Sequence, residues 1–208
     1  MNSYFLEKNL LFGKKYPIYY TEGLNCGGII WNGWMKDYSF PKVNSIMEMC
    51  SGPGFMGYYL KHKYNIPKLI LVDIYEPLKE YIDRTNKENE WEDEVTFYLS
   101  DGFKQYDGPK VDMIVSNPPH YVYEKDFLSL KTIQPRVDER KFYDKDFSFH
   151  KDFLQGIDGV LNKDGYLILY ENKTQIPPEL IMKTNPRLEL IDYMEHIESR
   201  YTGVFKFT

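Results

Sequence analysis

Short apolar runs alternate with longer segments of helical periodicity through most of this 208-residue chain. Apolar runs of about four to eight residues are typical of buried strands, whereas spacings of three and four are typical of amphipathic helices. The alternation predicts parallel strands joined by crossover helices. We therefore expect an open, doubly wound, mostly parallel α/β sheet of seven strands, at residues 43–49, 68–73, 95–100, 111–116, 165–170, 188–193 and 204–207.

Helices are expected after the first strand, at 77–86 and at 149–161, and a long irregular stretch at 121–148. Residues 1–42 precede the first strand and form a predicted N-terminal extension, so the main domain is 43–208. In the extension, five apolar residues share one helical face: Ile30, Trp31, Trp34, Met35 and Tyr38. This face predicts either a helix packed on the sheet or an aromatic lid, with Trp31 and Trp34 contacting substrate.

The composition restricts the kind of protein. Hydrophobic residues make up 42% and charged residues 27%, with a mean hydropathy of -0.54, which favours a globular domain. No apolar run approaches the roughly 18 residues of a membrane-spanning helix, and the N-terminus lacks the plan of an export signal. We expect a cytoplasmic protein without membrane partners. The net charge of -5 offers no broad basic surface for nucleic acid, and Cys26 and Cys50 lack the spacing of a metal site.

A glycine-rich turn follows the first strand and contains Glu48, Cys50, Gly52, Gly54 and Gly57. Glycines at a strand-to-helix turn let the backbone bend sharply and approach a ligand closely. The turn lacks the Lys-Ser/Thr ending of a phosphate-binding loop. Because Glu48 adds an acid at the strand end, the pattern favours a cationic cofactor over a pyrophosphate.

Two further acids follow the next strands of the predicted sheet. Asp73 ends the second strand, where its carboxylate suits the hydroxyls of a ribose, and Ile74 after it belongs to the same predicted set. Asp101 and Gly102 follow the third strand and suit an adenine amine and ring nitrogens. Since ligands of such sheets bind at the carboxyl ends of the strands, these residues predict a pocket for an adenosine that carries a positive centre.

The fourth strand is followed directly by Asn117-Pro118-Pro119-His120-Tyr121. With the strand-end acids, this motif resembles the class I S-adenosylmethionine-dependent methyltransferases, and specifically their Asn-Pro-Pro-aromatic, amino-methylating branch. The resemblance implies S-adenosyl-L-methionine as cofactor and S-adenosyl-L-homocysteine as product. The chain departs from the family twice: Cys50 stands at the first glycine of the loop, and His120 stands where a Tyr, Phe or Trp is usual.

The motif suits methylation of a planar NH2 group. The lone pair of such a nitrogen is delocalised, so the nitrogen is barely nucleophilic. If the Asn117 side-chain oxygen and the Pro118 carbonyl each accept one N–H, the nitrogen is drawn toward a tetrahedral geometry. Pro118 and Pro119 keep the turn rigid. His120 is predicted to stack on the acceptor or to add a pH-dependent donor, and Tyr121 to take over the stacking. Asn117 is also placed in the cofactor-binding set.

The acceptor is predicted from a further resemblance. The stretch 161–171, followed by Gln175, is similar to the fifth-strand region of the HemK family, which methylates a protein glutamine amide. That family carries a large N-terminal recognition domain. Only about 42 residues precede the first strand here, so we expect this domain to be missing or vestigial. This departure counts against a peptide-release factor as the substrate, whereas the resemblance itself favours a protein glutamine as the acceptor. An adenine or guanine amine of RNA or DNA is the alternative, followed by a small-molecule acceptor and a noncatalytic cofactor-binding scaffold.

Overall fold

The computed structural model of the chain describes residues 5–8, 16–20, 39–133, 139–196 and 199–208. The predicted aromatic face with Trp31 and Trp34 lies outside the described residues. The chain divides into two compact units, Met1–Val115 and Ser116–Thr208. The predicted division into 1–42 and 43–208 stays a prediction.

The first unit contains an N-terminal pair of strands and then alternates strands with helices. Its elements are β1 (Phe5–Lys8), β2 (Pro17–Tyr20), β3 (Ser45–Met49), α1 (Phe55–Tyr64), β4 (Lys68–Asp73), α2 (Leu78–Asn89), β5 (Val95–Leu99) and β6 (Val111–Ser116), whose last residue belongs to the second unit. Strands β3, β4 and β6 are mostly buried, as their apolar residues predict.

The second unit begins with helices and ends with antiparallel strands. Its elements are α3 (Glu124–Ile133), α4 (Glu139–Phe142), a 3-10 turn (Lys145–Phe147), α5 (Ser148–Val160), β7 (Leu161–Asn172), α6 (Pro178–Thr184), β8 (Leu188–Glu195) and β9 (Arg200–Phe207). The prediction of an irregular stretch at 121–148 is therefore wrong. Its helices lack a broad apolar stripe, and tertiary contacts support them instead: the Phe127 and Tyr143 rings stack with centroids 4.9 Å apart.

Seven strands form one sheet in the order β5-β4-β3-β6-β7-β9-β8. The β3–β4 and β4–β5 pairs are parallel, whereas β9 pairs antiparallel with both β7 and β8. The predicted seven-stranded α/β fold is confirmed as a mixed sheet, and β8 and β9 are the predicted closing pair. The strand order reverses between β3 and β6, and sheets of this kind bind ligands at such a reversal.

The strands β1 and β2 form a separate antiparallel pair that the sequence pattern did not predict. Strand β2 packs on helix α2, where the Tyr19 backbone N–H donates to the Thr85 hydroxyl at 2.9 Å. The Arg84 guanidinium lies 4.0 Å from the centre of the Tyr19 ring. In the part of the chain that the structure describes, no helix is both long and apolar enough to cross a membrane.

Helix α1 packs closely on β3 and β4 at Gly57. A Cβ atom there would lie 2.7 Å from Leu69 Cδ1 and 2.8 Å from Glu48 Oε2. Both distances are shorter than real Cβ contacts, so Gly57 sets how near the helix approaches the strands.

We predict that Gly57→Ala lowers the free energy of unfolding by about 2 kcal/mol because the helix must move away from the sheet. Gly159→Ala is the matched control, because a Cβ at Gly159, on α5, meets no atom of another part of the described chain within 4 Å. It should raise the free energy by about 0.5 to 1 kcal/mol through helix propensity. Urea unfolding of both variants measures these changes, and equal effects would contradict the packing role of Gly57.

Candidate active site

The glycine-rich turn after β3 has three residues with left-handed backbone angles: Cys50 with φ 55°, Gly52 with φ 50° and Gly54 with φ 88°. A Cβ on Gly54 would lie 2.8 Å from the Tyr58 ring and 2.9 Å from Leu71 Cδ1, so only glycine fits there. Cys50 is strained because a side chain disfavours this conformation by roughly 1 to 2 kcal/mol. This explains why the family that the motif resembles has glycine at that position.

Glu48 is almost wholly buried and holds the start of helix α1. Its Oε2 atom accepts the Gly57 N–H at 2.6 Å. Burial raises the pKa of Glu48 to about 8, helped by the charge of Asp73 and opposed by the N–H groups of Gly57 and Met56. The side chain is thus mainly neutral at neutral pH, and its attraction for a cation is smaller than the sequence alone indicates.

Asp73 joins the ends of neighbouring strands. Its Oδ2 atom accepts the Gly52 N–H at 2.8 Å and its Oδ1 atom accepts the Tyr75 N–H at 3.0 Å. The Asp73 carbonyl accepts the Ser100 N–H at 2.9 Å. The structure therefore brings Asp73 together with the glycine turn on one side and with the segment that leads to Asp101 on the other.

Asp101 and Gly102 form a tight turn after β5. The Asp101 carboxylate is paired with Lys104 at 2.6 Å, and Gly102 has φ 59°. Two apolar side chains at these strand ends are unusually exposed, Ile74 at 55% and Leu99 at 48%. An exposed isoleucine beside a strand-end carboxylate is the arrangement that suits a flat, partly polar ligand.

The Asn-Pro-Pro-His turn begins the second unit, directly after β6. Pro118 and His120 are buried. The Asn117 Oδ1 atom is also buried, and it accepts no hydrogen bond from any group in the described part of the chain. Buried carboxamide oxygens nearly always have a donor, so this oxygen is available to an N–H group of a ligand.

A chain of four ionisable side chains, which we call the His120 network, lies behind this turn. Asp144 Oδ2 contacts His150 Nδ1 at 2.7 Å, His150 Nε2 contacts Glu171 Oε1 at 2.8 Å, and Glu171 Oε2 contacts His120 Nδ1 at 3.2 Å. The Asp144, His150 and Glu171 side chains are at most 1% exposed, and the His120 side chain is 10% exposed. The network therefore reaches solvent only at His120.

The charges in the network alternate. Burial acts against charge on His150, but Glu171 and Asp144 raise the His150 pKa to about 9. Burial also acts to raise the pKa values of Asp144 and Glu171, but the contacts with His150 dominate and lower both. For His120, burial lowers the pKa despite the opposing effect of Glu171. At neutral pH the network thus contains two carboxylates, one imidazolium and one neutral imidazole.

Asp144 also fixes the start of helix α5. Its Oδ1 atom accepts the Phe149 N–H at 2.7 Å, and its Oδ2 atom accepts the His150 N–H at 3.0 Å. A carboxylate at a helix N-terminus satisfies donors that the helix leaves unpaired. The same side chain therefore caps α5 and orients the His150 ring.

A cleft of about 560 Å³ opens in the second unit and is lined in part by Tyr121 and Tyr123. Gln175 holds this region: its Oε1 atom accepts the Val122 N–H at 3.2 Å, and its Nε2 atom donates to Asp126 at 2.7 Å. Lys125 and Asp126 are the charged residues of the lining. The cleft is thus lined by aromatic and polar groups with balanced charge.

Within each unit, the structure brings some of the predicted site residues together. Asp73 is bonded to the glycine turn in the first unit, and Asn117, His120 and Tyr121 follow one another in the second. Trp31 and Trp34 lie outside the described residues. Sequence reasoning missed the partners of His120, because Asp144, His150 and Glu171 lie six to fifty-one positions from their contacts.

Part of the chain is similar to known methyltransferases. Residues 35–133 match the Methyltransferase small domain. The chain is 32% identical over 93 residues to the ribosomal protein uL3 glutamine methyltransferase of Francisella tularensis subsp. tularensis (strain SCHU S4 / Schu 4). That match covers 45% of this chain and 29% of the relative, so the chain spans less than a third of the relative's length.

Solved structures share the fold. The 16S rRNA N2 G1207 methyltransferase of T. thermophilus, in complex with AdoMet and guanosine, superposes with a TM-score of 0.67 at 12% identity, over 99% of this chain and 50% of that one. The ribosomal protein L11 methylase of Lactobacillus delbrueckii subsp. bulgaricus gives 0.59 at 15% identity, over 87% and 76%. At these identities the likeness shows the fold, which is the Rossmann-like fold of these methyltransferases.

The His120 network predicts a pH-dependent stability. The pKa of His150 is raised from 6.5 to about 9 by folding, so its contribution is complete below about pH 6.5 and is lost as the pH rises through about 9. The free-energy gap between wild type and His150→Gln in urea unfolding should therefore narrow by about 3 kcal/mol from pH 6 to pH 10. The contribution of Glu48 to the pH dependence cancels in this comparison, because both proteins contain Glu48. A gap that does not change with pH would contradict the charged state of His150.

Proposed function

We propose that the chain is an S-adenosylmethionine-dependent N-methyltransferase whose acceptor is a planar NH2 nitrogen, the side-chain amide of a protein glutamine. The observation that carries the proposal is the buried Asn117 Oδ1 atom, which accepts no hydrogen bond from the described residues and lies in an Asn-Pro-Pro turn directly after β6. Such an oxygen suits an acceptor N–H, which a noncatalytic scaffold does not require.

The first unit fits the cofactor at the carboxyl ends of its strands. We assign the glycine turn, with Glu48, Cys50, Gly52 and Gly54, to close backbone contact, because a Cβ at Gly54 has no room. Asp73 and Ile74 are assigned to the ribose and adenine, together with Asp101 and Gly102. When bound, S-adenosylmethionine supplies a methyl group on a positively charged sulfur, which is electrophilic at carbon.

The second unit would activate the acceptor. The Asn117 oxygen and the Pro118 carbonyl each accept one N–H of the NH2 group and draw its nitrogen out of conjugation. Pro119 restricts the backbone, so the two acceptors are held in place before the reaction. Alignment of the nitrogen lone pair with the methyl group supplies a further part of the acceleration.

Two observations favour a protein glutamine over a nucleobase. The relative with 32% identity over part of its length is named as a glutamine methyltransferase of a ribosomal protein. The cleft beside Tyr121 offers one lysine, Lys125, next to an acid, Asp126, whereas binding of a phosphate backbone relies on clustered basic residues. A peptide with a polar surface suits this lining better than RNA or DNA.

We predict that Asn117→Ala lowers kcat/KM for methyl transfer by about 10²- to 10³-fold, because the developing charge on nitrogen loses an acceptor. The thermal midpoint should stay the same or rise, since the change removes a buried polar atom for which the described residues provide no donor. Affinity for S-adenosylhomocysteine, measured by calorimetry, should change by less than about threefold if Asn117 acts mainly on the acceptor.

Transfer of a tritiated methyl group into a cell lysate, treated afterwards with protease or nuclease, identifies the acceptor class. Label released by protease supports a protein acceptor, and label released by nuclease would replace it with a nucleobase. Lys79→Ala changes an exposed side chain on α2 and serves as the control for the effects of preparing a variant protein. Loss of both transfer and cofactor binding in Asn117→Ala would contradict the role given to Asn117.

Ile74 allows a separate test of the cofactor assignment. We predict that Ile74→Ala weakens S-adenosylhomocysteine binding by about tenfold in calorimetry, because apolar contact with the ligand is lost. Ile191→Ala is the matched control, since Ile191 is similarly exposed, at 46%, but lies on β8. Equal affinities of the two variants would remove Ile74 from the cofactor site.

A further inference from the structure

The His120 network fixes which nitrogen of His120 carries a proton. A carboxylate oxygen only accepts hydrogen bonds, and Glu171 Oε2 lies 3.2 Å from His120 Nδ1. Nδ1 must therefore be the protonated nitrogen of the neutral ring. The lone pair is left on Nε2, which makes His120 a proton acceptor at that atom.

The network holds the Glu171 carboxylate in the position that this tautomer requires. Its other oxygen, Oε1, lies 2.8 Å from His150 Nε2, and His150 Nδ1 lies 2.7 Å from Asp144. Both ring nitrogens of His150 face carboxylates, so His150 donates through both. A fully buried carboxylate between two imidazoles cannot rotate without breaking a hydrogen bond in a medium where the loss is large.

The surroundings of His120 keep its ring neutral yet able to accept a proton. The titratable and charged groups that face it are Glu171 and Tyr170 on β7, His150 on α5 and Arg200 on β9. Burial is the largest effect and lowers the His120 pKa, with smaller contributions from Arg200 and His150, whereas Glu171 opposes the decrease. The ring is therefore mainly unprotonated at neutral pH.

Methylation of an NH2 group leaves a proton that must be removed. As the nitrogen lone pair forms the new N–C bond, the electron pair of the carbon–sulfur bond returns to sulfur and the nitrogen becomes positively charged. One N–H bond then breaks, its electron pair stays on nitrogen, and the proton leaves. Neither the Asn117 oxygen nor the Pro118 carbonyl is basic enough to carry it away.

We propose that His120 Nε2 takes up this proton, directly or across one water, and that Glu171, His150 and Asp144 position His120 for that step. This inference rests on the proposed N-methyltransferase activity. It gives the histidine of the Asn-Pro-Pro-His turn a role that the usual Tyr, Phe or Trp does not supply. His120 is three residues from Asn117, and its ring is the exposed end of the network. The imidazolium that forms is stabilised by the adjacent Glu171 carboxylate.

Nitrogen NMR of the wild-type protein, with nitrogen-15 in its histidines, tests the tautomer without any acceptor. Long-range proton–nitrogen correlations should show His120 protonated at Nδ1 near neutral pH, and loss of the signals in His120→Gln assigns them. A ring protonated at Nε2 would overturn the proposal, because that nitrogen then has no lone pair to offer.

The pH dependence of kcat/KM for methyl transfer tests the catalytic step. Activity should fall as the pH drops through the pKa of His120, which lies below about 6.5. Titration of Glu48 does not obscure this decrease, because the pKa of Glu48 is about 8. His120→Gln should lower kcat/KM by about 10²-fold and remove the acid limb. Glu171→Gln should move the limb to lower pH because the ring loses its negative neighbour, and thermal unfolding checks that both variants are folded.

The outcomes separate the two proposals. A His120→Tyr variant with the wild-type rate and acid limb would show that the ring only stacks, and would overturn the proton-acceptor role alone. An unchanged limb in His120→Gln would do the same. Absence of methyl transfer and of S-adenosylhomocysteine binding in the wild-type protein would overturn the proposed function and, with it, this role.

Discussion

The buried carboxylate of Glu171 is the constraint on which the polar interior of the second unit depends. Its side chain has no exposed surface and contacts one imidazole at each oxygen. A buried charge of this kind is tolerable only with a partner and hydrogen bonds, and the protonated His150 ring supplies both to Glu171 and to Asp144. The Asn-Pro-Pro-His turn is attached to β7 through the same carboxylate. The orientation of the turn thus depends on this hydrogen bond in the interior.

Both units contain features that lower stability at the positions assigned to function. In the first unit, Cys50 has a left-handed backbone conformation, which is unfavourable for a residue with a side chain. In the second, the Asn117 oxygen is buried and accepts no hydrogen bond from any residue that the structure describes. Such exceptions are expected where a site is arranged for a ligand rather than for the isolated fold. The rest of the core is mainly apolar, apart from the His120 network and Glu48.

Much of the fold was predictable because local patterns determine it. The apolar runs gave the bounds of β4 and β6 as observed, and the glycine turn and Asn117 lie at the strand ends where the pattern predicts them. The helices between 121 and 148 were not predicted, because long-range contacts such as those of Gln175 support them. The His120 network was hidden for the same reason: its members lie on separate elements, and no spacing rule relates them. The roles of Trp31 and Trp34 stay predictions.

The proposed reaction depends on two hydrogen-bond acceptors, which hold the two N–H bonds of one nitrogen. Mass spectrometry of a glutamine peptide after exhaustive reaction with S-adenosylmethionine tests this claim most directly, with the corresponding N-methylglutamine peptide alongside. We expect one methyl group on the glutamine nitrogen and none on the secondary amide, which has a single N–H to offer. A second methyl on that nitrogen, or transfer to lysine in place of glutamine, would contradict the account.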